Sequence, residues 1–291
     1  MTSLALSLVL LASVAHSGWN FLLKRSEDNE VFIWGLLAAT SVLLAPLGVV
    51  LAWRNPIEPF GWLFVTATIV LHTLYFGLLG RSYTVGDLSL VYPIARGMGP
   101  MLVPVLAVVF LDETIATSAI VGIAVIVAGI YTISWWGSFH QLARRPLSLF
   151  RNSGTRYAVL TGFTIAGYTI IDKGGVAHVQ PFLYMYLMTL GSAIGLFPYV
   201  LAKRRLSGIT HELRHNSVAI LVAGGLTFVA YGLVLTAFTL SRVSYVAPTR
   251  EVGIVITVLI GALVLREPFG MGRLLGSVMI VSGLILISLS P

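Results

Sequence analysis

The sequence has no cysteine and few charged residues. The absence of Cys from its 291 residues excludes disulfides, thiolate metal sites and cysteine nucleophiles. Asp, Glu, Lys and Arg make up 10% of the chain, whereas soluble globular proteins carry about 25%. No polar segment is long enough to form a soluble domain. Hydrophobic residues account for 57% of the chain, in runs that approach the span of a bilayer. The composition therefore predicts an all-α, polytopic membrane protein.

Several functional motifs are also missing. There is no P-loop pattern, which argues against direct coupling to ATP, and the histidines show no HExxH spacing. His211 and His215 are four residues apart, but Glu212 is the single carboxylate beside them, so we expect neither a metal nor another cofactor. The net charge of +7 comes from Lys and Arg in the loops between apolar runs, as is typical of membrane proteins. We therefore expect no nucleic-acid partner.

One apolar run contains an arginine near its middle. Residues 87–110 are long enough to cross a bilayer, yet Arg96 lies within them, and such an arginine costs about 2.5–3.5 kcal/mol to insert. Pro93, Pro100 and Pro104 each delete a helix hydrogen bond and favour a kink. This combination predicts a broken helix whose arginine faces a wet cavity between helices. A second such run contains Pro248 and Arg250.

The two arginines belong to an internal repeat. When the chain is shifted by 154 residues, Arg96 falls on Arg250, and the register continues without a gap to the end of each half. Apolar matches are common in membrane sequences, but the charged and glycine matches are not. The most informative matches are Arg96 with Arg250, Gly99 with Gly253, Glu113 with Glu267, Gly122 with Gly276, and Gly129 with Gly283.

The apolar runs predict ten membrane helices, five in each half of the chain. Their approximate bounds are 2–23, 31–53, 60–80, 87–110 and 114–136, then 157–171, 181–202, 217–240, 245–265 and 271–289. A basic linker at 137–156 separates a first repeat at 1–136 from a second at 157–291. Because five is odd, the second repeat must enter the membrane from the opposite side. Inverted repeats of this kind frame a central site in many transporters.

The repeated residues resemble the EamA type of the drug/metabolite transporter superfamily. The resemblance covers essentially the whole chain and rests on a glutamate before the last helix of each half, two glycine pairs, and a Trp-Asn pair late in helix 1. These residues are Glu113 and Glu267, Gly122 and Gly129, Gly276 and Gly283, and Trp19 and Asn20. Many members have Gly before the glutamates, where this chain has Asp112 and Arg266.

The resemblance implies ten helices, two fused repeats, and transport of small metabolites such as amino acids without ATP. It also implies a multi-pass protein of a cell membrane, such as the bacterial inner membrane. The phrases HSGWNFLLKRS and YPIARGMGP are further similar to a subgroup associated with phosphonate-utilisation genes. The expected partners are a small-molecule substrate, with protons as a candidate coupling ion, and the lipid bilayer, around a monomer or weak dimer.

The candidate substrate-binding residues are the polar and aromatic side chains within the predicted spans. In a structural interpretation, Glu251 neutralises the charge of Arg96. In a functional interpretation, one arginine holds a carboxylate or phosphonate of the substrate, since guanidinium groups donate two parallel hydrogen bonds to such anions. With one carboxylate nearby, the two arginines predict a net positive pocket. The complete set is His16, Trp19, Asn20, His72, Tyr75, Tyr92, Arg96, Tyr168, Tyr231, Arg250 and Glu251.

Two functions and two orientations follow from these patterns. The favoured function is a secondary transporter of small polar metabolites, anionic or amino-acid-like. The alternative is an intramembrane enzyme acting on a lipid or isoprenoid carrier, with His16, His72 and Glu251 as acid–base groups. The basic segments at 144–156 and 203–214 favour both termini outside the cell by the positive-inside rule, whereas the resemblance implies both termini inside.

Overall fold

The computed structural model describes residues 1–85, 88–136, 153–263 and 270–291, apart from the side chains of residues 88–90, 92 and 93. All regular secondary structure in this part of the chain is helical, which confirms the predicted class. The thirteen helices are α1 (Ser3–Lys24), α2 (Asn29–Leu43), α3 (Ala45–Arg54), α4 (Pro59–Val85), α5 (Leu88–Leu111), α6 (Thr117–Trp135), α7 (Ser153–Gly175), α8 (Pro181–Lys203), α9 (Leu206–His215), α10 (Ser217–Leu240), α11 (Val243–Thr249), α12 (Val252–Leu263) and α13 (Met271–Ser288).

The number of membrane spans is eight or nine within the described residues. Eight spans are long and apolar enough to cross a bilayer, one of them formed by α11 and α12 together. The pair α2 and α3, bent by 59° ahead of Pro46, makes a ninth. Helix α7 has 23 residues but is not among them, because Arg156, Asp172 and Lys173 lower its hydropathy. The predicted count of ten therefore stays a prediction.

The predicted break in the Arg96 span is wrong. Helix α5 runs without interruption from Leu88 to Leu111, even though it contains three prolines. A proline removes one hydrogen bond, and a helix that packs closely along a neighbour, as α5 does along α7, can continue through that loss. The break lies instead in the second repeat, where α11 ends at Thr249 and α12 begins at Val252. Arg250 and Glu251 form the turn between them.

The basic segment 203–216 is also different from the prediction. It was expected to be a loop, but it contains α9, a short helix that packs against α2. Ile209 is buried on one side of α9, while Leu206 is exposed. Glu212 accepts a hydrogen bond from Asn216 at 2.9 Å, and burial raises the pKa of the Glu212 carboxyl. The many charged residues of this segment hide the helical spacing of its apolar residues in the sequence.

The last helices of the two halves, α6 and α13, pack closely through the repeated glycines. A Cβ atom at Gly122 would lie 2.7 Å from the carbonyl oxygen of Gly283, and one at Gly129 would lie 2.8 Å from that of Gly276. The repeat mates of Gly122 and Gly283 are Gly276 and Gly129, so the first pair of facing glycines maps onto the second pair. The antiparallel pairing is therefore the one that a twofold axis between the halves would produce.

The other helices pair in the same exchanged manner. Helix α1 of the first half packs along α10 of the second half, and α7 of the second half packs along α4 of the first. The core lies between these pairs, and its largest fully buried side chains include Phe32, Tyr184, Phe238 and Tyr245. Each half is thus interleaved with the other, so residues from both surround the centre of the molecule.

The two ends of the bundle differ in charge. We call the end where α1 begins the first face and the end where α1 ends the second face. Cations concentrate on the second face, at Lys24, Arg25, Lys203, Arg204, Arg205, Arg214 and Arg273. Arg204 there bridges Asp28 at 2.5 Å and Glu30 at 3.0 Å, joining α8 to the start of α2. The positive-inside rule predicts that the second face is cytoplasmic and the termini outside, so the orientation stays a prediction.

Candidate functional site

A small cavity lies at the centre of the bundle, between the two halves. Ser13 and His16 of α1, Arg96 of α5, Tyr231 of α10 and Arg250 of the broken turn line it. Its volume is about 20 Å³, enough for roughly one water molecule. The structure therefore brings the two repeat-mate arginines together, in a conformation that is closed around them.

A second, smaller cavity continues from the first. It measures about 10 Å³ and is lined by Arg96 and Arg250 again, together with Glu251, Tyr168 and Thr169. The Glu251 side chain is buried, at 7% exposure. The charged set predicted from the sequence is therefore assembled in one place, with a carboxylate beside the arginines.

His16 lies between an arginine and a tryptophan. The Arg96 guanidinium contacts His16 Nε2, and the Trp19 indole N–H donates to His16 Nδ1 at 3.1 Å. Both neighbours can only donate, and a neutral imidazole has a single acceptor nitrogen. His16 can therefore accept a hydrogen bond from Arg96 or from Trp19, but not from both at once. An incoming anion would compete with His16 for the Arg96 guanidinium.

Asn20 bonds within its own helix, and its predicted role in substrate binding stays a prediction. Its side-chain amide donates to the carbonyl oxygen of His16, in the same helix, at 2.8 Å. Asn20 does not line either central cavity. The side chain of Tyr92 lies outside the described residues, so its predicted place in the site stays a prediction.

The aromatic candidates form a cluster beside the cavities. The His72 ring stacks on Tyr168 with centroids 4.1 Å apart, and the Tyr231 ring meets His72 edge-on at 5.4 Å. Tyr75 meets Tyr168 edge-on at 5.5 Å. His72 Nδ1 lies 2.9 Å from the Thr68 hydroxyl and 3.1 Å from the Thr68 carbonyl oxygen. Because a carbonyl only accepts, Nδ1 carries a proton in this arrangement.

A buried aspartate is the residue that sequence reasoning missed. Asp172 of α7 has no exposed surface and accepts hydrogen bonds from two tyrosines. The Tyr184 hydroxyl donates to its Oδ1 at 2.9 Å, and the Tyr231 hydroxyl donates to its Oδ2. A signal was present, since Tyr168 and Asp172 are four residues apart and so share a helix face.

Hydroxyl groups of α1 support the broken turn. The Ser13 hydroxyl shares its one proton between the carbonyl oxygens of Val9 at 2.8 Å and Arg250 at 3.2 Å. The Ser17 hydroxyl shares its proton between those of Ser13 at 2.9 Å and Gly253 at 2.8 Å. These bonds add a second donor to each carbonyl of the broken span, because the Arg250 oxygen also accepts from the Gly253 amide at 3.1 Å and the Gly253 oxygen from the Thr257 hydroxyl at 2.9 Å. The Arg250 guanidinium lies over the Tyr231 ring at 5.4 Å, which fixes its direction toward the cavity.

The glutamate that carried the family resemblance caps the start of the broken helix. Glu113 accepts from the backbone amides of Val243 and Ser244 at 2.8 and 3.0 Å, and from the Ser244 hydroxyl at 2.6 Å. A carboxylate at a helix N-terminus accepts hydrogen bonds from backbone amides that have no partner within the helix, and the helix dipole stabilises its negative charge. Glu113 therefore positions α11 rather than touching the cavity. Its mate Glu267 lies outside the described residues.

The same architecture is found among known proteins. The EamA-like transporter family matches residues 3–135 and, a second time, residues 152–289. The chain belongs to the EamA-like transporter family. Members of this family are transporters rather than enzymes, which makes the chain a multi-pass membrane protein that transports small solutes. The hypothesis of an intramembrane enzyme has no support from these residues or from the family.

Two further comparisons set this EamA-like transporter beside individual proteins. An uncharacterized protein of Methanocaldococcus jannaschii is 29% identical over 133 residues, which are 45% of this chain and 96% of that protein. A solved crystal structure superposes with a TM-score of 0.76 at 14% identity, covering 99% of this chain and 98% of the other. At that identity the likeness shows the fold alone. The phosphonate-associated subgroup stays a prediction.

Proposed function

We infer that this EamA-like transporter is a secondary transporter of small polar metabolites with an anionic or amino-acid-like group. The observation that carries this inference is the convergence of Arg96 and Arg250, one from each half, on one central cavity. Charged residues within a membrane are costly and usually mark a substrate or ion pathway. The described lining of this cavity includes both guanidinium groups and no carboxylate, which favours an anion over a cation there.

The chemistry of the lining fits a carboxylate or a phosphonate. Each guanidinium group can donate two parallel hydrogen bonds to such a group, and a lysine cannot reproduce that geometry. His16 and Tyr231 contribute further polar atoms at the same cavity. The aromatic rings of Tyr75 and Tyr168 lie next to it and suit the carbon part of a small metabolite.

Transport by alternating access fits the closed centre. A cavity of about 20 Å³ cannot hold a metabolite, so the helices around it must separate for binding. We propose ten spans in two inverted repeats, 1–136 and 157–291, joined by the linker 137–156, which rock against each other. The exchanged pairing of α1 with α10 and of α7 with α4 supports this, as does a relative whose length matches one half. An ion gradient or substrate exchange would drive net accumulation.

The test is transport by purified protein in proteoliposomes, across a panel of amino acids and phosphonates. We expect Arg96→Lys to lower uptake of the transported compound about 30-fold or more, because the charge remains but the bidentate contact is lost. Arg205→Lys, an exposed site on the second face, is the matched control and should transport normally. Thermal unfolding in detergent checks that both variants are folded.

Transport at the wild-type rate by a folded Arg96→Lys protein would overturn the assignment. The same rate in a folded Arg96→Ala protein would support that conclusion. Retention of transport by Arg96→Lys with loss by Arg96→Ala would show that a charge suffices and that the guanidinium geometry is not used. Uptake limited to cationic compounds would remove the anion preference altogether.

A further inference from the structure

The charged groups at the centre, two half-buried arginines and two buried carboxylates, balance one another. Arg96 and Arg250 supply two positive charges, and the sequence had suggested Glu251 as the sole negative partner. Asp172 adds a second buried carboxylate, joined to the cavity through Tyr231. With both carboxylates ionised, the four groups sum to zero. An anion entering this site would leave an uncompensated negative charge in a closed interior, which is costly.

We propose that Asp172 is a proton-binding site that couples entry of the anionic substrate to uptake of one proton. A proton from water on one side forms an O–H bond with an Asp172 carboxylate oxygen as the anion binds at the arginines. The same bond breaks when the anion leaves, and the proton passes to water on the other side. The substrate and proton together carry no net charge into the site. This inference rests on the anionic substrate proposed above.

The hydrogen bonds of Asp172 can accommodate either protonation state. In the present arrangement Tyr184 and Tyr231 both donate to it, which suits an ionised carboxylate. The Tyr184 hydroxyl also lies 3.2 Å from the carbonyl oxygen of Phe64, a second acceptor. When Asp172 is protonated, the Tyr184 hydroxyl can turn to Phe64, and its oxygen then accepts the new Asp172 proton. No group is left unsatisfied in either state.

Tyr231 connects the proton site to the substrate site. Its hydroxyl bonds to Asp172, its ring lies under the Arg250 guanidinium at 5.4 Å, and it lines the central cavity. A change in the charge of Asp172 therefore reaches Arg250 through one side chain. Substrate bound to Arg250 acts back on Asp172 by the same route, since coupling between two sites is reciprocal.

The other groups near Asp172 come from each element packed around it. Thr68 of α4 lies near the carboxylate, and its hydroxyl bonds to His72 at 2.9 Å, so His72 is one residue further away. Tyr168 lies one turn earlier on α7. Lys173, the next residue, points elsewhere and donates to the carbonyl oxygens of Phe238 and Ser241 at 2.5 and 2.9 Å. The neighbouring cation is therefore occupied in closing the end of α10 rather than in neutralising Asp172.

The experiment measures proton movement with the anion in proteoliposomes. Three probes are used, namely aspartate, glutamate and aminomethylphosphonate, with a trapped pH indicator reporting the lumen. We expect the wild-type protein to acidify the lumen when a transported probe enters, and an inward proton gradient to accumulate that probe. Asp172→Asn should lose gradient-driven accumulation by about 5- to 150-fold, the usual range for coupled sites. It should still exchange external probe for internal probe, because exchange needs no net proton transfer.

A second variant covers the case in which Asp172→Asn does not fold. Tyr184→Phe removes the hydroxyl that accepts from protonated Asp172, so proton-driven accumulation should fall while exchange persists. Tyr186→Phe is the matched control on the same helix, because its hydroxyl bonds to the Ser41 carbonyl oxygen at 3.4 Å, away from Asp172. The control should behave as the wild type does.

Three results would overturn the inference. Probe uptake without acidification in the wild type would remove proton coupling while leaving the anion transporter intact. Accumulation that follows a sodium gradient instead would assign the coupling to another ion. Wild-type protein that transports none of the three anions, but transports cations or neutral compounds, would refute the anion proposal and this inference together.

Discussion

Helices α5 and α11–α12 occupy corresponding places in the two halves but have different backbones. Both contain an arginine that reaches the central cavity, and both contain proline before it. Helix α5 is continuous, whereas the second span is interrupted at Arg250. The amides of Glu251 and Gly253 there bond three residues back instead of four. Similar sequences have thus given a straight and a broken version of one element.

The neighbouring helices present different side chains to the two spans. Where α1 meets the broken span, Ser13 and Ser17 supply hydroxyl donors to its carbonyl groups. Where α7 meets α5, Gly162 lies against Met98 and Ile165 lies against Gly99, and neither residue has a side-chain donor. Inside a membrane, a backbone group freed from a helix must find another partner. The broken span therefore has serine hydroxyls of α1 beside its carbonyl groups, whereas these two contacts of α5 with α7 are apolar.

The glycines test this comparison most strongly. Gly129→Ala and its repeat mate Gly283→Ala both push a Cβ atom against a backbone carbonyl of the facing helix, so each should cost about 1–3 kcal/mol of stability, in similar amounts. Gly99→Ala and Gly253→Ala, in the dissimilar pair, should differ, because the first meets Ile165 at 3.1 Å and the second meets nothing closer than 3.5 Å. Thermal unfolding in detergent measures all four. Equal costs in the second pair would contradict the asymmetry.

Removing the hydroxyl donors should weaken the broken turn. The double variant Ser13→Ala, Ser17→Ala leaves two carbonyl groups with one partner fewer, at a cost of about 0.6–1.7 kcal/mol each. Hydrogen exchange of the amides from 250 to 254 should become faster. The control is Ser7→Ala on the same helix, whose hydroxyl bonds to the Ser3 carbonyl oxygen and is exposed. Unchanged exchange in the double variant would show that the serines do not hold the turn.

The smallest expected effect is at the residue before the capping glutamate. Asp112 has a positive φ of 51°, a conformation that glycine adopts without steric cost. Asp112→Gly should therefore stabilise the protein slightly, by about 0.5 kcal/mol, or leave it unchanged. Asp112→Val is the opposing control and should destabilise it, since a branched side chain resists that backbone. A clear loss of stability in the glycine variant would mean that the Asp112 side chain has a role of its own.

The sequence predicted the place of the arginines well and the shape of the backbone less well. Arg96 and Arg250 share a repeat register, and residues related by a twofold axis meet at that axis, so their convergence could be expected. The break could not be assigned to one half, because both spans have proline before the arginine and the sequence does not show which helices pack against each. The contact between the glycine pairs of α6 and α13 could be predicted in the same way as that of the arginines, because these glycines also share the repeat register.

Asp172 shows what the pattern of residues leaves out. It stands beside Lys173 at the end of an apolar run, where charged residues commonly mark the end of a helix. Its burial depends on Tyr184 and Tyr231, which come from helices elsewhere in the sequence. Asn20 is the opposite case, since a polar residue in a span was expected to face the cavity and bonds to its own helix instead.

The closed centre also has a consequence for the membrane as an electrical barrier. Protons cross a bilayer readily along a file of water molecules, and a space of about 20 Å³ has room for roughly one. In this conformation the central cavity therefore cannot hold a file of water molecules. Proton leakage through the cavity is then limited to the moments when the two halves separate, so many copies of the protein can lie in a membrane without lowering its potential.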